Sequence, residues 1–293
     1  MTVTERSVDL PDGRALAVWE GGDPGGRAVV VHHGTPMAGV LYEPHARDAA
    51  ERGIRLVGYS RPGYGASTPD PGRTVASAAA DTAALADALG IDRFATWGIS
   101  GGGPHALACG ALLTDRVPAA ASLAGVVPYG VEDVDFLDGM GEANHVEFGA
   151  ALEGAEPLRA LLEPQAEELR TTGEAAFQEL FASLLSPVDR AVLTGELAAY
   201  MYRCDLAGLE RGIDGWVDDD LAFVEPWGFR VEDIRVPTLV WHGQEDRFVP
   251  VAHGRRLAER IPGAEARISA ADGHLTLIER RVPEVHAWLL EQF

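Results

Sequence analysis

Short runs that are apolar at nearly every position alternate along this chain with stretches long enough for a helix. Arg27 to His32 (RAVVVH), Ile54 to Ser60 (IRLVGYS), Arg93 to Ile99 (RFATWGI), Ala119 to Val126, Val236 to His242 (VPTLVWH) and Glu265 to Ala271 read as strands. A strand wetted on one face alternates apolar with polar residues, whereas continuous runs belong to strands covered on both faces, as in a parallel sheet between helix layers. Helix candidates of suitable length lie between them: Met37 to Arg52, Val75 to Leu89, Pro104 to Leu113, Val251 to Ile261 and Val282 to Gln292. Two N-terminal segments, Thr2 to Leu10 and Arg14 to Glu20, alternate more and flank Pro11-Asp12-Gly13, a hairpin signal. The expectation is an α/β fold, a mostly parallel sheet with an antiparallel start.

The alternation stops between Tyr129 and Arg235. That stretch is helical in pattern and holds 24 acidic residues against 7 arginines, a net −17 of the chain's −21. It predicts an inserted helical cap over residues 128–235, with residues 1–127 and 236–293 forming the core domain. Eleven of the 21 aromatic residues also fall there, a ready supply for small-helix packing and for an apolar wall facing a substrate.

Composition removes several function classes. A charge of −21 with no Lys/Arg-rich run disfavours nucleic acid and anionic membrane surfaces. All 24 basic residues are arginine, so chemistry that needs a lysine amine, a Schiff base or a P-loop, has no residue to perform it. Cys109 and Cys204 stand far apart without metal-ligand spacing, which argues against both a disulfide framework and a zinc site. Neither an apolar leader nor a membrane-length run is seen, and a cytoplasmic location is expected.

The chemistry is carried by Gly98-Ile99-Ser100-Gly101-Gly102, a G-x-S-x-G that follows a strand and opens a helix. In that setting glycines let a tight turn form while the central serine is held in strained backbone with its hydroxyl exposed. Ser100 is therefore the expected nucleophile. A serine hydroxyl needs a base and the base needs an orienting acid. Of nine histidines, His274 lies in a loop just after the last strand, and Asp246 follows the strand before it, giving the chain order Ser100, Asp246, His274. Glu245, Asp272, Asp133 and Asp135 are competing acids. Donors for the oxyanion of an attacked carbonyl are expected from the backbone N–H groups of Thr35, in His33-Gly34-Thr35-Pro36, and Gly101. His33 and Gly34 are expected to support that loop from behind.

Taken together, HGTP at 33–36, SRPGYGAS at 60–67, GISGGGP at 98–104, HGQEDRFVP at 242–250 and DGH at 272–274 resemble the α/β-hydrolase superfamily along nearly the whole chain. The resemblance implies an eight-stranded sheet with its second strand antiparallel, a helical cap after the sixth strand, and a Ser-Asp-His triad working without metal or organic cofactor. Haloalkane dehalogenases and epoxide hydrolases share HGxP and the cap but use an aspartate nucleophile, so Ser100 argues against both. Proline iminopeptidases carry HGGPG and GGSWG where this chain has HGTPM and GISGG. Ser60 stands where an acidic residue often precedes the arginine. The leading expectation is a serine hydrolase of an ester, lactone or thioester of a small, neutral or cationic molecule. An aminopeptidase or amidase, a carbon–carbon bond hydrolase, a non-hydrolytic biosynthetic enzyme and a receptor-like binding protein are the alternatives.

Overall fold

A computed structural model describes residues 3–293. Eight strands form one sheet: β1 (Thr4–Asp9), β2 (Ala15–Gly22), β3 (Arg27–His32), β4 (Ile54–Tyr59), β5 (Phe94–Ile99), β6 (Ala120–Leu123), β7 (Thr238–Gly243) and β8 (Glu265–Ser269). Their spatial order is β1-β2-β4-β3-β5-β6-β7-β8; β2 pairs antiparallel with both β1 and β4, and every pair from β4 to β8 is parallel. The hairpin closes at Pro11-Asp12-Gly13, where Gly13 takes a φ of 88° and the Leu10 N–H reaches the Arg14 carbonyl at 2.7 Å.

Helices α1 (Glu43–Glu51), α2 (Ser77–Ala88), α3 (Gly102–Leu112), α10 (Val251–Arg260) and α11 (Leu275–Leu290) cover the sheet. Between β6 and β7 come α4 (Glu142–Glu153), α5 (Ala155–Thr172), α6 (Phe177–Leu180), α7 (Pro187–Val192), α8 (Gly195–Gly208) and α9 (Asp214–Val224), with no strand among the described residues there. The pleat sorts side chains to two cores: Val30 and Val57 pack with Leu85 and Phe94 on one face, while Val29, Val31 and Leu56 meet Trp97, Leu277 and Val282 on the other. All six residues of β5 are buried, and so are all six of β7. Each such aliphatic side chain contributes about 1.5–3 kcal/mol. The second core continues into α5 through Leu158 and Leu162, so one apolar interior joins the sheet to the inserted helices.

Two helices differ from the sequence pattern. α1 starts at Glu43 rather than Met37, because Gly39 lies against the Tyr59 and Ser60 backbone, so close that a Cβ would stand 2.1 Å from the Tyr59 carbonyl carbon. The Gly39 N–H goes to Ser60 Oγ at 3.0 Å, which gives the serine in place of the acidic residue a definite task. α11 starts at Leu275, seven residues before Val282, and runs through Pro283. Its N-terminal turn is stabilised from outside by the Asp189 carboxylate described below, which sequence periodicity does not register.

Candidate active site

The parallel strands deliver their C-terminal ends to one edge of the sheet, the edge where open α/β folds hold ligands. Register places His32 beside Gly98, so the loop after β3 and the turn after β5 are neighbours. Gly243 pairs with Ser269, so Asp246 and His274 leave adjacent strand ends.

Ser100 has a φ of 55°, a strained value for a residue with a Cβ, held by its N–H to the Leu123 carbonyl at 2.9 Å and by the Gly103 N–H to its own carbonyl at 2.9 Å. Only glycine fits around it. A Cβ on Gly98 would stand 2.0 Å from the Gly102 carbonyl oxygen, and one on Gly102 would stand 1.9 Å from the His32 carbonyl oxygen. A Cβ on Gly101 would meet Thr35 Oγ1 at 2.4 Å, which measures how closely Thr35 and Gly101 lie. Neither Thr35 nor Gly101 donates its backbone N–H within the described residues.

His274 Nδ1 and Asp246 Oδ2 are 2.8 Å apart, both residues buried. Asp246 Oδ1 accepts the N–H groups of Phe248 and Val249 at 2.9 and 2.8 Å, so its other oxygen is aimed at the imidazole, and the Phe248 ring stacks on that imidazole at 4.5 Å. Burial alone would lower the His274 pKa, but the charge of Asp246 outweighs it and holds the value above the ordinary one. With Nδ1 donating to Asp246, Nε2 is left as the acceptor. His274 and Ser100 line the same small cavity of about 50 Å³. The competing acids lie elsewhere: Asp133 pairs with Arg256 at the surface, Asp135 bonds the Leu137 N–H, and Asp272 pairs with Arg281 at 2.8 Å. Glu245 is exposed.

His33 and Gly34 sit behind the loop. His33 Nε2 bonds the Val40 carbonyl at 2.8 Å, tying both ends of the 33–40 segment, and a Cβ on Gly34 would stand 3.4 Å from Ser100 Cβ. Burial lowers His33 to a pKa of about 4, so it is neutral near pH 7.

Three contributions escape sequence reasoning. The run Asp218-Asp219-Asp220 has the look of a solvated helix face, yet all three residues are buried. Asp219 is fully enclosed and accepts from Thr35 Oγ1 at 2.7 Å and Tyr64 Oη at 2.8 Å, and is ion-paired with Arg61 and, at 2.7 Å, with Arg73. Burial works to raise its pKa, but the two guanidinium groups outweigh it and keep the carboxylate ionised. Arg61 also donates to the His33 carbonyl, so this buried cluster clamps the Thr35 loop from two sides. The second contribution is Asp189 of α7, which accepts the N–H groups of His274, Leu275 and Thr276 at 2.9, 2.8 and 3.1 Å, and the Ser186 hydroxyl at 2.8 Å. One signal was present for the first: three acids set among Trp216, Val217, Leu221 and Phe223 interrupt an otherwise apolar helix. For Asp189 the sequence carries none.

The third is the cavity itself. About 280 Å³ in volume, it is floored by Ser100, Thr35 and Gly101 and walled by α4, α5, α8 and α9. On α9 the residues Trp216, Asp220 and Phe223 face it, at helical i, i+4, i+7 spacing. Among the described residues no group of His, Cys, Asp and Glu is arranged to hold a metal ion, and no helix is long and apolar enough to cross a membrane. Cys109 and Cys204 are both free and buried.

Residues 27–281 match the family model described as alpha/beta hydrolase fold. A non-heme chloroperoxidase of Kitasatospora aureofaciens is 28% identical over 257 residues, covering 85% of each protein. Among solved structures, the enol-lactonase of Burkholderia xenovorans superposes with a TM-score of 0.70 at 20% identity, over 98% of this chain and 99% of that one. A thermophilic esterase of Thermogutta terrifontis gives 0.71 at 20% identity, over 100% and 99%. With the family pattern met continuously from the strand before Thr35 to the helix after His274, the chain belongs to the α/β-hydrolase superfamily.

Proposed function

We propose that the protein is a serine hydrolase that cleaves an ester, lactone or thioester of a small, partly apolar molecule through an acyl-enzyme on Ser100, with residues 128–235 acting as the cap over its substrate. The observation that carries this reading is a strained Ser100 that lines one small cavity with Thr35 and with an imidazole held by Asp246 at 2.8 Å, while the next residue, Gly101, lines the larger cavity with Thr35 and Ser100, and neither Thr35 nor Gly101 donates its backbone N–H among the described residues.

His274 Nε2 takes the proton as Ser100 Oγ attacks the carbonyl carbon, and Asp246 stabilises the imidazolium that results. The N–H groups of Thr35 and Gly101 receive the negative charge that develops on the carbonyl oxygen. Collapse expels the alcohol or thiol with the proton from His274, and water activated by the same imidazole releases the acid. The floor of the cavity supplies this chemistry, and its walls, mostly from the inserted helices, set the shape of the acyl and leaving groups.

A fluorophosphonate probe tests the nucleophile. Intact protein is expected to take up one label, on Ser100, and Ser100→Ala is expected to lose labelling and to lower ester turnover by about 10⁵ to 10⁶-fold with little change in the thermal midpoint. Labelling that persists in the Ala variant overturns the assignment.

A further inference from the structure

The cavity above Ser100 has an unusual charge inventory. Its charged lining residues are all carboxylic acids, Glu147, Glu168, Asp205 and Asp220, with no arginine or histidine among them. Glu168 is exposed at the rim, but Asp205 and Asp220 are 2% and 1% exposed. Asp205 Oδ1 and Asp220 Oδ2 have no hydrogen-bond partner among the described residues. A buried carboxyl oxygen without a donor forfeits its solvation and gains nothing in return. Elsewhere in the same helix, Asp219 shows how this chain satisfies a buried acid, with two arginines, a tyrosine and a threonine. Asp220, one residue along and turned to the cavity, is given none of these.

The acids are also fixed in place. Glu147 Oε1 accepts the Trp216 indole N–H at 2.9 Å, Trp216 lies one turn before Asp220 on α9, and the Glu147 and Asp220 carboxyl groups are within hydrogen-bonding reach of each other. Burial foremost, then repulsion by Glu147, raises the Asp220 pKa, burial raises that of Glu147, and no arginine or histidine lines the cavity beside them. Asp205, on α8, lines both this cavity and the smaller one shared by Ser100 and His274, and burial pushes it up to about 8.

We propose that Asp205 and the Glu147–Asp220 pair form a subsite for an ammonium group of the substrate, within the same cavity as the Ser100 hydroxyl. An ammonium brings three donors and a positive charge to a cavity whose buried Asp205 Oδ1 and Asp220 Oδ2 have no hydrogen-bond partner among the described residues. A carboxylate or phosphate in the same place would meet only acids. The subsite rests on the reading of Ser100 as nucleophile for its link to turnover, but its binding chemistry stands separately.

The test compares p-nitrophenyl 6-aminohexanoate with p-nitrophenyl heptanoate, in which a methyl replaces the ammonium. The wild type is expected to favour the ammonium ester by about tenfold or more in kcat/KM, and Asp205→Asn and Asp220→Asn are each expected to reduce that ratio by about tenfold. Glu147→Gln provides a third variant should one of these fail to fold. A wild-type ratio at or below one, or a ratio unaltered in the folded variants, overturns the subsite. If neither ester is turned over, the hydrolase reading fails, and calorimetry decides the subsite alone. Binding of n-hexylammonium but not hexan-1-ol, lost in the variants, supports it; equal binding of the two, or no binding, overturns it.

Discussion

Ser100 and His274 illustrate how much a single residue's setting determines. A serine in an ordinary turn is a poor nucleophile; here a φ of 55° and three crowding glycines hold the hydroxyl at the sheet edge, and the imidazole that would deprotonate it is oriented by one carboxylate. The pH response follows from sign alone. Only neutral imidazole accepts a proton, and Asp246 holds the His274 pKa above the ordinary value, so kcat/KM is expected to climb with pH along a limb whose midpoint lies above about 6.5. Asp246→Asn removes the charge that raises it and favours the wrong tautomer. That variant is expected to lose about 10⁴-fold in rate. Stopped-rate assays from pH 5 to 9 check both statements, and a wild-type midpoint well below 6.5 would contradict the first.

At the scale of elements, the inserted helices are tied to the sheet edge that carries Ser100 and His274 by single side chains. Asp189 of α7 caps the N-terminus of α11, the helix that begins as the chain leaves His274. A negative charge there satisfies orphan N–H groups and complements the helix dipole. Asp189→Ala is expected to cost about 1–3 kcal/mol of stability by leaving those donors buried and unpaired, and to lower kcat as His274 loses its fixed position. Denaturant unfolding and steady-state kinetics measure the two effects, and an Asp189→Ala variant with wild-type kcat would assign the residue to folding alone. Asp219 of α9 plays the corresponding part toward the Thr35 loop, through Arg61. Elements that arrive late in sequence thus set the geometry of loops that come early.

For the whole molecule, charge is distributed unevenly. Residues 129–235 carry −17 of the net −21, and one of their exposed acids, Glu168, stands at the rim of the cavity. A field of this sign repels anions over about 8 to 10 Å at 0.1 to 0.15 M salt. The kcat/KM of an anionic ester is therefore expected to rise with ionic strength while that of a matched neutral ester stays flat. Identical responses would mean that the acidic surface serves solubility and has no part in selection.

The amino-acid sequence determined the parts of this protein that depend on neighbours along the chain. Continuous apolar runs specify strands buried on both faces, the glycines around Ser100 specify a turn that no bulkier residue can make, and the order Ser100, Asp246, His274 follows from which strand each residue succeeds. Local pattern is weaker where a distant group intervenes. The apolar pattern predicts a helix from Val282, but α11 runs from Leu275 to Leu290 with its first turn capped by Asp189, 85 residues or more upstream. Only the tertiary structure separated the adjacent Asp219 and Asp220 into an ion-paired clamp and a cavity-lining carboxyl whose Oδ2 has no hydrogen-bond partner among the described residues. Successive helix positions point about 100° apart, so identical and equally buried residues enter different surroundings, and the partners met there, not identity, decide whether an acid is ion-paired.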